Sequence, residues 1–146
     1  MEINLKEYAG QRINGGADLF AIMREILKRD TEVFGYESHF WIVGLDDAGV
    51  LRYAELIALG DKEQENVHPM GIFSMAVTKE CKRIIGVQCL NDKSLDVNGD
   101  VISLVTRIVR GAETLQMELI DYLIINEDDF VGFQEIARFL GGMEGK

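Results

Sequence analysis

Helix-like and strand-like segments are interspersed along this chain, an order consistent with an α/β domain in which helices pack on a sheet. Two further observations fit that class. The 146 residues are enough for one domain, which at this size buries roughly 70% of the surface of its unfolded chain. Apolar residues make up 47% of the chain, with one Trp, four Tyr and seven Phe to fill a core, well clear of disordered compositions. No internal repeat, low-complexity segment or Pro/Ser-rich linker divides it, so a single compact unit over residues 1–146 is expected.

Residues 1–16 read as a flexible arm, closed by the Gly15-Gly16 break. Leu19, Ile22, Met23, Ile26 and Leu27 then recur at helical spacing, which predicts an amphipathic helix over Asp18 to Arg29, within residues 17–30, with Asp18 as N-cap. Its apolar face suits a core, or alternatively a partner's surface. His39 to Leu45 and Val50 to Leu59 are rich in Trp, Ile, Val, Tyr and Leu, and Asp46-Asp47-Ala48-Gly49 between them supplies turn chemistry. The pair reads as a β-hairpin. Asp61 to Asn66 is a polar loop, and Pro69 suits the first turn of a helix running to about Glu80, because its missing N–H costs nothing there. His68 would sit at that helix's N-cap. A strand over Arg83 to Leu90, a helix over Val101 to Leu115, a strand over Glu118 to Ile125 and a closing helix over Val131 to Leu140 complete the order.

Charge and composition exclude several function classes. A formal net charge of −10 repels phosphate backbones, and no Lys/Arg cluster interleaves with aromatics, so nucleic acid is not an expected partner. No apolar run approaches the roughly 18 residues of a membrane span, so no membrane contact is expected. The start, MEINLKEYAGQ, lacks a basic segment followed by an apolar core, and cytoplasmic residence is the default. Cys81 and Cys89 have no CxxC spacing, which suits reduced, buried thiols. Strand alternation sends Cys89 to the opposite face from Gln88 and Leu90. A Cys-His pair with His39 or His68 is the alternative.

Other features have ordinary explanations. Gly15-Gly16 before a helix lacks the strand, glycine spacing and Lys of a phosphate-binding loop. Glu63, Glu65, Asp92, Asp96 and Asp100 make an acidic loop surface whose spacing does not fit a calcium loop. That surface could meet a basic partner.

The stretch from Arg83 to Val101, RIIGVQCLNDKSLDVNGDV, is an apolar strand, a polar loop and a helix start. With its flanks, HFWIVGLDDAGVL, ELIALG then VHP, RIIGVQ, and LIDYLIIN followed by FVGFQE, it resembles the RadC-like branch of the JAB/MPN (JAMM) metalloprotease-like superfamily. The likeness covers about residues 38–135. It implies a three-layer, cytidine deaminase-like fold, with a mixed, largely antiparallel sheet flanked by helices. The family's motif there is His-x-His-Pro, a Pro-rich loop and Ser-x-x-Asp, and the corresponding positions read Gln88, Leu90, Asn98 and Val101. The family's Glu, which acts on zinc-bound water, matches Glu55.

A catalytic zinc needs three protein ligands and an open position for water. Leu90 and Val101 offer no lone pair and Gln88 is a poor zinc ligand; Asp100 would serve only if the helix start slipped by one residue. The family's zinc is therefore expected to be absent, with no cofactor in its place and no metal ligands. Glu55, Gln88, Leu90, Asn98, Asp100 and Val101 are candidates for a vestigial cleft. The superfamily has metal-free members that support assemblies, and by that resemblance the expected function is a noncatalytic protein-binding or scaffold module, contacting a protein or a second copy of itself. The alternative is a peptidase or isopeptidase-type hydrolase with a non-standard site, in which Glu55 is the base. A link to DNA repair rests on the family name alone.

Overall fold

The structure, a computed structural model, describes residues 2–29, 38–59, 69–90, 95, 97 and 99–132. Strands β1 (Ser38–Leu45), β2 (Leu51–Leu59), β3 (Arg83–Leu90), β4 (Glu118–Ile125) and β5 (Phe130–Val131) form a five-stranded sheet in the order β2-β1-β3-β4-β5. Every neighbouring pair is antiparallel except β3 and β4, which run parallel. A parallel pair needs a crossover, and here it is a helix, α3 (Gly99–Thr114), while α2 (Pro69–Thr78) links β2 to β3. Helix α1 (Gly16–Arg29) precedes β1.

Two separate cores cover the two faces of this sheet. On one, Leu19, Ile22, Met23, Ile26 and Leu27 of α1 pack on Trp41, Val43, Val87, Cys89 and Leu123. These are the five apolar positions that marked the amphipathic helix, and the face is used inside the molecule. On the other, Ile72, Phe73 and Ala76 of α2 and Val101, Leu104, Val105 and Ile108 of α3 pack on Phe40, Ile42, Tyr53, Tyr122 and Ile124. The layers are therefore helix, sheet, helix, as the family likeness implies.

The β1–β2 turn forms where Asp46-Asp47-Ala48-Gly49 predicts it. The Asp46 carboxylate accepts the N–H groups of Ala48 and Val50, both at 2.9 Å, and Gly49 takes the positive φ of 81° that a side chain would strain. Those N–H groups hold the Asp46 carboxyl below the usual carboxylate range.

Four expectations need revising. Helix α1 begins at Gly16, so Asp18 lies in its first turn; its carboxylate accepts the Asn14 N–H at 2.9 Å and favours the helix dipole from there. Helix α3 begins at Gly99, two residues before Val101, with Asp100 in its first turn. Val131 belongs to a strand: Asn126 Oδ1 accepts the N–H groups of Asp128 and Asp129, both at 2.8 Å, and returns the chain along β4. The remainder of the expected closing helix, with His68 and the Asp61–Asn66 loop, lies outside the described residues.

The segment read as a flexible arm runs along the outer edge of β2. Glu2 bridges Glu55 and Arg12 bridges Val50, the Ile3 and Gly10 N–H groups donate to Ala54 and Leu51, and Leu5 is buried. A short 3-10 turn, Lys6–Tyr8, lies between the two bridges. An open sheet edge presents unpaired N–H and C=O groups, and pairing satisfies them.

Candidate functional site

The face beneath α2 and α3 is where the structure gathers the candidate residues. Alternation along β3 points Ile84, Gly86, Gln88 and Leu90 to it, and Cys89 to the α1 face, as expected. Gln88 lies opposite Phe40 of β1 and Ile124 of β4. Glu55 lies opposite Ile42, which lies opposite Gly86, so Glu55 sits two strand spacings from β3, roughly 10 Å away. It is half-buried. Val101, in the first turn of α3, is buried over the same face and Leu90 packs at its margin. Asp100 is exposed at the helix start, and Asn98 lies outside the described residues.

Tyr122 organises this face, and sequence reasoning missed it. Its hydroxyl donates to Gln88 Oε1 at 3.0 Å, with both side chains buried. Its ring leans over Gly86, where a Cβ would meet it at 2.6 Å, and stacks on Phe40 with centroids 6.1 Å apart. Gly86 has no side chain because Tyr122 occupies that space. Burial pushes the Tyr122 phenol far above its ordinary range, so the hydroxyl remains a donor. The parallel register of β3 and β4, which places Gln88 and Tyr122 within reach, has no signature in either strand alone.

These residues do not fit a zinc ion. Gln88 Oε1 is engaged by Tyr122, Leu90 and Val101 contribute only carbon to the apolar cluster, and the nearest acid on the helix, Asp100, is exposed. Among the described residues no group of three or more His, Cys, Asp or Glu side chains could hold a metal. Among the described residues this arrangement packs the face and assembles no set of ligands of the kind that activates a zinc-bound water.

Of the alternative Cys-His pairs, that with His39 has a defined geometry, and His68 lies outside the described residues. His39 and Cys89 are direct cross-strand partners on the α1 face. Burial pushes the Cys89 thiol up and the His39 imidazole down to about 4, so both are neutral. A cysteine nucleophile needs the thiolate, and this environment opposes it. His39 Nδ1 accepts the Trp41 Nε1–H at 2.8 Å instead.

No helix among the described residues is long and apolar enough to cross a membrane. The profile of the RadC-like JAB domain matches residues 13–138. A UPF0758 protein of Chlorobaculum tepidum is 27% identical over 128 residues, covering 86% of this chain and 54% of its own length. UPF0758 proteins of Staphylococcus aureus (strain bovine RF122 / ET3-1) and Synechocystis sp. are 30% and 28% identical, covering 70% and 61% of this chain and 45% and 37% of themselves. The chain thus spans about half the length, or less, of these relatives. With the profile match extending over most of the sequence and the layered fold agreeing with it, the chain belongs to the RadC-like JAB domain family.

Proposed function

We propose that this RadC-like JAB domain is a noncatalytic binding module that contacts a protein, or a second copy of itself, without a zinc ion. The observation that carries this reading is the packing at the family's ligand positions: Gln88 is bonded to Tyr122, and Leu90 and Val101 join the apolar cluster. Hydrophobic contacts around Leu90 and Val101 and the hydrogen bond to Gln88 support this reading, because they hold these three side chains in place with no need of a metal. The net charge of −10 favours a partner with a basic surface, and the expected compartment is the cytoplasm.

Metal analysis of the purified chain tests it. Zinc well below one equivalent, with an unfolding midpoint unchanged by chelator, is the expected result. Near-stoichiometric zinc that is lost in Gln88→Ala or Asp100→Ala would overturn the proposal. A hydrolase reading draws on Glu55, a half-buried acid on the same face. It requires metal-dependent turnover of a peptide or isopeptide that Glu55→Gln abolishes with the fold intact. Such turnover by the purified chain would replace the binding-module reading.

A further inference from the structure

A cavity of about 270 Å³ opens on the other face of the sheet, at the carboxyl ends of β3 and β4 beside the last turns of α1. Carboxyl ends of parallel strands are where α/β sheets most often bind small ligands. At ~30 Å³ per water the space holds a ligand of about nine non-hydrogen atoms.

Four features define its chemistry. Arg24 and Lys28, one turn apart on α1, line it with positive charge, and the Arg24 guanidinium lies 5.3 Å from the Phe20 ring centre. Glu127 and Asp128, on the β4–β5 turn, line it with negative charge. Among the described residues no ion pair joins the two sets, so opposite charges from two elements share one cavity without neutralising each other. His39, only 6% exposed, is in its wall. Its Nδ1 accepts from Trp41, so the neutral ring carries its proton on Nε2, a donor available to a ligand. Leu27 and Ile125, both buried, give the cavity an apolar side.

A ligand that satisfies all of this carries an anionic end, a cationic end and a short apolar body. We propose that the cavity binds a small zwitterion of the amino-acid class with an apolar side chain, its carboxylate toward Arg24, Lys28 and His39 Nε2–H and its ammonium toward Glu127 and Asp128. Leu90, one of the family's ligand positions, lines its edge, but the charged groups that define the site lie on α1 and the β4–β5 turn, and the assignment stands or falls independently of whether the domain binds zinc or a protein.

Amide chemical-shift titration of the full chain with L-leucine and L-methionine tests the assignment, with N-acetylleucine and leucinamide as probes lacking one charge each. The expected result is saturable shifts centred on α1, His39 and the β4–β5 turn. Each singly charged probe should bind at least about tenfold more weakly, as should leucine to Arg24→Ala and to Asp128→Asn; tenfold corresponds to about 1.4 kcal/mol. Lys82→Ala, on an exposed residue outside the cavity, should bind leucine as the parent does. The absence of saturable shifts with both amino acids at millimolar concentration would overturn the proposal. So would equal binding of all three leucine probes, or binding indifferent to both cavity substitutions.

Discussion

Removing one oxygen atom separates the two roles of Tyr122. In Tyr122→Phe the ring still covers Gly86 and stacks on Phe40, but buried Gln88 Oε1 loses its donor. An orphaned buried acceptor costs about 1–3 kcal/mol, so urea unfolding should show that loss while the fold persists. His39 supplies a second residue-scale prediction. Its folded pKa, about 4, lies below the unfolded value of 6.5, so the unfolded chain binds more protons between them. Its contribution is therefore complete above about pH 6.5 and is lost as pH falls toward 4, by on the order of 3 kcal/mol. Urea midpoints across that range should fall less steeply in His39→Gln than in the parent. At this scale the sequence was partly legible: alternation alone separated Gln88 and Leu90 from Cys89. The Tyr122–Gln88 bond and the His39–Cys89 pairing were not, because both depend on register between strands distant in sequence.

Elements were legible in proportion to their apolar periodicity. β3 and β4 span the predicted residues, being short, mostly apolar runs with polar flanks, and α1 buries the predicted stripe. β5 has two residues, too short to show a period, and the edge pairing of residues 2–12 consists of two isolated bridges around a 3-10 turn. Backbone hydrogen bonds of that kind leave no side-chain pattern. Two predictions belong here. Gly86→Ala places a methyl group within 2.6 Å of the Tyr122 ring, which is confined by Phe40 and Gln88. Overpacking of this sort costs about 1–3 kcal/mol, measurable by thermal or urea unfolding. Deleting residues 1–13 uncovers the outer edge of β2 and removes buried Leu5. An uncovered edge pairs with other chains, so light scattering should report concentration-dependent association beyond that of the full chain.

The molecule as a whole combines a family fold with a strongly acidic surface, at a formal net charge of −10. Cation-rich contacts to phosphates supply most nonspecific DNA affinity. Gel-shift assays with duplex DNA should therefore show no complex even at low salt. The helix and strand order was consistent with α/β packing, while the three-layer class and the mixed sheet were implied by the likeness to the family. The pairing of the amino-terminal segment with β2 also sets a sequence of events during synthesis. Residues 2–12 leave the ribosome before Val50 to Glu55, against which they close and which follow roughly 50 residues later, or about 3–10 s at ordinary translation rates. Through that interval Leu5 has no β2 surface on which to bury. The order of synthesis therefore makes this segment wait for β2, and a nascent chain leaves Leu5 uncovered while the β1–β2 hairpin is still incomplete.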